Sequence, residues 1–377
     1  MGGVLTGYWV TNPSRVIMKI FIFRSILFFS PLLLLLSLEL FVLPIDFFAF
    51  RVWEGLFIKS YRWILPGRFY PYREITKVET GGDLTHHGPF TSRRQVKWMT
   101  DQYGYRKKNS ETMQHKVVVI GDSNIAGIGL TQEETFSEVL EEKLNAGVYP
   151  FAPADINNFL KDRRFLDHPP EVVVIASVER FICDLETPKL PRERWPMLSN
   201  LKRRLQKTEW VPAVAVFLDR LSKMNMINYF RAKIGNRKHR QFYSFSTHFG
   251  TIYFLQGEAA NESVSRDRFK RAVRTIEAYD RVLKEKGIHF IFLPIPNKEN
   301  IYYQYLPNPK RPTFLEELIA ELKRKKIETV DTQKAFDERY QKDSALLYRL
   351  DDTHWNPAAV RMTADLVEMS ITSLPKE

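Results

Sequence analysis

The chain has 377 residues, is 44% hydrophobic and 13% aromatic, and carries a formal net charge of +12, enough length for one large core or two modest ones. Its single cysteine, Cys183, excludes an intrachain disulfide and any cysteine-based zinc or redox motif. The charge is concentrated: from Thr187 to Arg240, 14 Lys and Arg stand against Glu193, Glu209 and Asp219, a local +11. Such a block suits nucleic acid, anionic lipid or an acidic polymer, or else forms the solvated face of a helical insertion.

Residues 1–19 read as a short cytoplasmic N-terminus, with Met18-Lys19 a natural translation start. Residues 20–43, IFIFRSILFFSPLLLLLSLELFVL, carry Arg24 and Glu39 as their only charges, and about 20 apolar residues cross the hydrocarbon layer. Arg15, Lys19 and Arg24 on the N-terminal side predict that the N-terminus stays inside. The bulky Phe41–Phe50 stretch offers no small-residue cleavage site, so an uncleaved anchor is expected rather than a removed signal peptide. Residues 44–114 follow as a juxtamembrane and lead-in segment. Asp46–Pro66 is rich in Phe, Trp and Tyr, rings that suit the headgroup region. Residues 67–114 are punctuated by Gly81-Gly82, Gly88-Pro89 and Gly104 and read as loop wrapping the domain that follows.

From 115 to 377 the pattern alternates. Lys116–Ile120, Glu171–Ser177 and Ile288–Leu293 are continuous apolar runs of the kind buried on both faces of a sheet. Between and after them the spacing predicts helices over Gln132–Asn145, opened by a capping box at Thr131–Glu134, and over Arg266–Lys286, Pro312–Lys326 and Pro357–Ser373. Strands alternating with helices imply a parallel sheet between helical layers. The basic stretch at about 187–240, with Pro191, Pro196 and Pro212, reads as a helical insertion, a lid or a membrane-facing surface.

Two stretches carry chemistry. Val117-Val118-Val119-Ile120-Gly121-Asp122-Ser123-Asn124 delivers Ser123 to the carboxyl end of a strand, where sites form in open α/β sheets. Gly121 allows a tight exit, and Asp122 suits an anchor of the turn. Far along the chain, Leu350-Asp351-Asp352-Thr353-His354-Trp355-Asn356-Pro357 sets carboxylates two and three residues before an imidazole. A serine hydroxyl is a poor nucleophile until a histidine takes its proton, and that histidine needs a carboxylate to orient it. Taken singly, the first stretch also reads as an ordinary turn and the second as a capped helix start.

Together these motifs resemble the SGNH (GDSL) hydrolase superfamily. The form Asp-Thr-His-Trp-Asn-Pro is similar to the branch of periplasmic alginate and other cell-surface polysaccharide O-acetyltransferases. The resemblance covers residues 100–370, with weaker echoes in Thr100–Arg106 and Pro294–Lys298. It implies a three-layer, flavodoxin-like α/β fold with a parallel sheet behind the one transmembrane helix. It assigns Ser123 as nucleophile, His354 as base and Asp352 as the orienting acid, although the hydrolase spacing would select Asp351. Three departures matter. Here the serine precedes the Asp-Thr-His-Trp stretch, whereas the alginate proteins have the reverse order. The Gly-x-Asn-Asp block is replaced by Val178-Glu179-Arg180-Phe181, echoing a Glu-Arg of the acetyltransferase branch, which leaves Asn124, Arg180 or the backbone to bind an oxyanion. Ala152 stands in the place of the second-block glycine.

Gly81-Gly82-Asp83-Leu84-Thr85-His86-His87 offers an Asp and two His, but without a third ligand at a recognisable spacing no metal is expected. Neither a Walker loop nor a complete Gly-x-Gly-x-x-Gly is present, so no nucleotide cofactor is expected. Lys298, Tyr302 and Tyr303 follow a strand and suit either a sugar site or core packing. The expectation is a single-pass inner-membrane protein whose periplasmic domain transfers acyl groups, acetyl first among them, to a cell-surface or exported polysaccharide. The resemblance implies a multipass acyltransferase partner to supply them. An esterase of the same fold, or a non-catalytic glycan-binding scaffold, is the alternative. Nucleic acid is disfavoured because the charged domain is expected outside the cytoplasm.

Overall fold

A computed structural model describes residues 13–60, 64–84, 92–108, 115–189, 201, 204–205, 208, 210–234, 242–247, 249–255, 264–307 and 309–374. The chain divides into two compact units, residues 1–47 and 48–377. In the first, a helix over Pro13–Ser37 runs on into a π-helical turn at Leu38–Val42. Within it Ile17–Val42, with a mean hydropathy of 2.2, is long and apolar enough to cross a membrane. Its side chains point outward: Phe21, Phe28 and Leu34 are 70%, 78% and 71% exposed, a surface suited to lipid rather than water.

The second unit is built on a parallel sheet. β3 (Val117–Ile120), β4 (Val148–Phe151), β5 (Val172–Val178) and β8 (His289–Ile295) pair in the order β4-β3-β5-β8. A parallel bridge from Phe292 to Thr329 adds a further position beyond β8. In order of appearance this is 2-1-3-4-5, the flavodoxin-like winding whose sites lie at the carboxyl ends of the strands. The runs are continuously apolar because every residue of β3, β4 and β5 is buried, as a sheet covered on both faces requires. One face, with Val118, Ile120, Val173, Ile175, Phe290 and Phe292, packs against Ala272, Ile276, Leu315 and Leu318. Those residues lie on the helices Arg266–Lys284 and Phe314–Arg324. The helices Phe136–Leu144 and Pro357–Thr372 pack together, and by alternation the remaining strand residues face that layer.

The anticipated strands and helices agree with the sequence to within a few residues, with five differences. The capping box at Thr131–Glu134 closes a 3-10 turn, and the helix proper begins at Phe136. β4 and a helix over Thr332–Asp343 were not anticipated. The lead-in segment, expected as loop, holds an antiparallel hairpin of β1 (Glu74–Thr80) and β2 (Arg93–Met99). β1 has no apolar period to read because its buried side chain is Glu79, which accepts the Val52 N–H at 2.8 Å. The basic insertion does contain helices, Trp210–Lys223 and Asn225–Ile234. A second hairpin, β6 (Phe242–Thr247) with β7 (Gly250–Leu255), follows it.

The echo Thr100–Arg106 has a structural explanation. Asp101 accepts the N–H groups of Tyr103 and Tyr105, each at 2.9 Å, and the Tyr149 hydroxyl at 2.5 Å, tying the lead-in to β4. Arg106 is buried under the loop that follows Ser123. It donates to the carbonyls of Gly127, Leu130 (2.7 Å) and Lys97 (2.9 Å) and lies 3.7 Å from the centre of the Trp98 ring. Burial lowers its pKa to about 9. Arg106→Leu strands those carbonyls without partners and is expected to cost about 3 kcal/mol of unfolding free energy, measured by urea denaturation.

Candidate functional site

The site forms where β3, the hairpin β1–β2 and the loop before the last helix meet. β3 ends at Ile120, and Gly121 makes the exit because a Cβ there would lie 2.5 Å from Ile125 and 3.3 Å from Ala176. Asp122 anchors the turn: one carboxylate oxygen accepts the Asn124 N–H at 2.8 Å, and the other accepts Val178 N–H at 3.2 Å from the end of β5. Ser123 is thereby held at the rim of the sheet.

The second motif can be read letter by letter. A bridge between Tyr348 and Trp355 closes the stretch into a tight loop. Asn356 caps the helix Pro357–Thr372, its side chain accepting Ala358 and Ala359 N–H at 2.9 and 3.1 Å, with Pro357 in the first turn. Trp355 is fully buried, stacks on Phe136 at 5.9 Å, and donates its main-chain N–H to Asn124 Oδ1 at 3.4 Å. Thr353 is fixed by Asp83, which accepts its N–H at 2.8 Å and its hydroxyl at 2.5 Å. With capping assigned to Asn356, Asp352 and His354 are left to face Ser123.

The three side chains form one hydrogen-bonded series. His354 Nε2 lies 2.8 Å from Ser123 Oγ, and His354 Nδ1 lies 2.6 Å from Asp352 Oδ1. Asp352 Oδ1 also accepts the His354 N–H at 3.1 Å, and Oδ2 accepts from Arg94 Nη2 at 3.0 Å. Asp352 is wholly buried and His354 is 6% exposed. Burial alone would raise the Asp352 carboxyl and lower the His354 imidazole. The attraction between them overrides it, with Arg94 helping Asp352, so Asp352 is held well below the usual carboxylate range and His354 is raised above 6.5. This arrangement turns Nε2 towards the hydroxyl and favours the charged form of the imidazole, the geometry a serine–histidine pair needs for proton transfer.

Asp351, the other candidate acid, points away. It accepts Gly82 N–H at 2.8 Å and the Ser92 hydroxyl at 2.7 Å, pinning the lead-in hairpin to the loop. That hairpin supplies two site groups the sequence reading did not select as such. Arg94, on β2, holds Asp352 and also donates to Gly81 O at 3.2 Å. Asp83 lies 4.0 Å from His354 Nδ1, and burial, then the Asp352 charge, raises its pKa to about 6. The Gly81–His87 stretch thus contributes to the site through Asp83, and His86 and His87 lie outside the described residues. Ligand-type atoms of Asp83, Asp352 and His354 fall within 4.8 Å of one another. A 2.6 Å Asp352–His354 contact is a hydrogen bond with no room for an ion between, and the Arg94 cation already occupies the remaining Asp352 oxygen.

Lys298 and Tyr302 belong to the framework rather than to a sugar site. The buried Lys298 ammonium donates to the carbonyls of Arg349, Leu350 and Asp352 at 2.6, 2.8 and 3.1 Å, bracing the loop from beneath, and burial lowers its pKa to about 8. The Tyr302 hydroxyl, fully buried, accepts Leu347 N–H at 2.8 Å. Arg180 follows β5, donating to Asn297 Oδ1 at 3.4 Å with its guanidinium 4.9 Å from the Phe181 ring centre. Beside it Glu179 is buried, accepts Asn297 N–H at 3.1 Å and the Asn300 amide, and is pushed by burial to about 7. The Asn124 main-chain N–H is committed to Asp122, which leaves the side-chain amide as that residue's donor. Ala152, buried at the end of β4, sits next to the exit of β3, where Ala154 N–H donates to Gly121 O at 3.0 Å.

Residues 253–376 match a family model described as the SGNH hydrolase-like domain of the acetyltransferase AlgX. The match takes in the histidine loop and stops short of Ser123. A lipolytic protein of the G-D-S-L family from Desulfitobacterium hafniense superposes at 12% identity and a TM-score of 0.34, over 68% of this chain and 99% of that one. A member of the same family from Veillonella parvula gives 11% and 0.34, over 68% and 98%. An acetyl xylan esterase from Butyrivibrio proteoclasticus gives 9% and 0.30, over 80% and 87%. No curated protein matches. The chain resembles the SGNH hydrolase superfamily, on the side of the AlgX acetyltransferases.

Proposed function

We propose that this chain is a membrane-anchored O-acyltransferase that places acetyl groups on a cell-surface or exported polysaccharide through an acyl-serine intermediate. The observation that carries it is the hydrogen-bonded series from a half-buried Ser123 through the buried His354 to the buried Asp352, with both hydrogen bonds at or below 2.8 Å. His354 takes the Ser123 proton as the hydroxyl attacks the donor ester, and returns it to the departing group. The acceptor hydroxyl then attacks the acyl-serine while His354 takes its proton; the acyl–Oγ bond breaks, His354 returns the proton to Ser123 Oγ, and the acetyl leaves on the acceptor. Asn124 through its side-chain amide and Arg180 are the proposed donors to the oxyanion. The AlgX-type match to the histidine loop supports acetyl chemistry on a polysaccharide; the apolar span supports anchoring, and Arg15, Lys19 and Arg24 towards its N-terminal end support a domain held outside the cytoplasm.

A periplasmic site has no direct access to cytoplasmic acetyl-CoA, so a multipass membrane acyltransferase is the proposed source of acetyl groups. Transfer and hydrolysis differ only in the acceptor. The full chain is incubated with an activated acetyl ester, with and without candidate polysaccharides, and free acetate is compared with glycan-bound acetyl. Glycan that gains acetyl at the expense of acetate supports transfer. Acetate release indifferent to every glycan would make the protein an esterase.

The pH profile tests the base. Neutral His354 is the working form, and its raised pKa predicts that kcat/KM falls on the acid side with a midpoint above 6.5. Asp352→Asn removes the charge that raises it, so the acid limb of the residual activity should move to lower pH. A limb that does not move would remove Asp352 from the role. The imidazolium is also favoured by the fold, so its contribution to stability is present at low pH and lost as the pH rises through the folded-state pKa.

A further inference from the structure

The helix Trp210–Lys223 buries Val211, Ala215, Val216 and Asp219 and shows apolar side chains on another face. Trp210 is 64% exposed, Val214 45% and Phe217 38%, at spacings of four and three that place them on one stripe. The helix Asn225–Ile234 carries Ile227 and Phe230, 37% and 48% exposed. Exposed Arg204 and Arg231 flank the stripe, within the segment of net +11. Among the described residues from 201 to 234 the acid is Asp219, which is buried.

The pair of helices is fixed to the segment that follows the apolar span. Asp219 accepts Lys59 N–H at 3.1 Å, Ser60 N–H at 2.5 Å and the Tyr70 hydroxyl at 2.7 Å, and pairs with Lys223 at 3.3 Å. Tyr229 packs on Phe50 at 5.0 Å and on Phe48 at 5.7 Å. Phe48 is six residues beyond Val42, the end of the span, so the covalent chain alone keeps it within about 20 Å of that point. An acidic glycan would match the charge and could stack on the Trp210 ring, but it offers nothing to the aliphatic Val214 and Ile227. A protein partner would match the stripe but has no need of the charge. An anionic lipid surface matches both, since Trp and aliphatic side chains enter the headgroup boundary while Lys and Arg meet the phosphates.

We propose that the helices Trp210–Lys223 and Asn225–Ile234 form a second, peripheral membrane contact that lies on the anionic bilayer beside the anchor. This rests on the reading of Ile17–Val42 as a span and is independent of the catalytic proposal. The full chain, with the buried Cys183 replaced by Ala, is reconstituted in phosphatidylglycerol-containing vesicles. An environment-sensitive fluorophore is attached at Val214→Cys or, as control, at Lys323→Cys, and quenching by lipids spin-labelled near the headgroup is measured. Alkaline-resistant flotation reads insertion of the anchor separately. In floated vesicles, position 214 should be quenched at least about twofold more than position 323. The difference should fall when phosphatidylcholine replaces phosphatidylglycerol or when Arg204→Glu and Arg231→Glu are combined. Equal quenching at the two positions in floated vesicles overturns the proposal. So does a spectral shift at 214 that lipid quenchers do not touch, which would mark a protein contact.

Discussion

Ser123→Ala is expected to abolish acyl turnover while leaving the fold intact. Ser123 is placed by its neighbours, Gly121 and Asp122, and not by its own side chain, so removing the hydroxyl disturbs no packing. Loss of a nucleophile acting with its base costs on the order of 10⁶-fold in kcat, and His354→Ala should cost about as much. The double variant should be no worse than either single one, because the two groups act as a unit. Additive losses would mean that the 2.8 Å contact between them is not used in the reaction. Thermal unfolding of Ser123→Ala close to that of the wild type would confirm that the loss is chemical.

The next largest effect separates the two adjacent aspartates. Asp352→Asn keeps the shape of the loop but presents an amide to His354 Nδ1, which disfavours the tautomer that leaves Nε2 free for Ser123. A comparable substitution in a serine triad lowers kcat about 10⁴-fold. Asp351→Ala should act differently. It releases Gly82 and Ser92 from their shared acceptor, at a cost of about 1–3 kcal/mol in stability. Its effect on kcat should stay within about tenfold, since no hydrogen bond joins Asp351 to the imidazole. Steady-state kinetics and urea denaturation on the same two variants make the comparison, and a reversal of the pattern would transfer the orienting role to Asp351.

Lys298→Met gives a smaller, diagnostic effect. The substitution keeps the stem and removes the ammonium that braces three carbonyls of the histidine loop. A drop in kcat of about 10- to 100-fold is expected, with little change in KM. In the wild type, activity should also decline above about pH 8 as Lys298 loses its proton. That alkaline limb should be absent from Lys298→Met.

What the sequence made legible was the sheet and the two loops at its rim. β3, β5 and β8 announce themselves because strands covered on both faces must be apolar throughout. The serine and histidine motifs are short, so each fits within one loop. The lead-in hairpin was illegible for the opposite reason. Its contributions are Glu79, Asp83 and Arg94, polar groups whose burial depends on partners far away in the chain, as when Arg94 reaches Asp352 across 258 positions. Hydrophobic period says nothing about such groups. The choice between Asp351 and Asp352 depended likewise on Gly82 and Ser92 engaging the first. Lys298 and Tyr302 stood at a strand's carboxyl end, where ligands bind, and only their hydrogen bonds to the chain itself place them in the framework.

In the proposed mechanism Ser123 carries the acyl group, and intact mass reads this directly. Full-length protein, in detergent, is mixed with an activated acetyl ester, quenched in acid and weighed intact beside Ser123→Ala, and the adduct is mapped by peptide digestion. One acetyl increment is expected on the wild type, located on the peptide containing Ser123, and none on the variant. An adduct of equal size on both proteins, or turnover of the ester that survives Ser123→Ala, would contradict it.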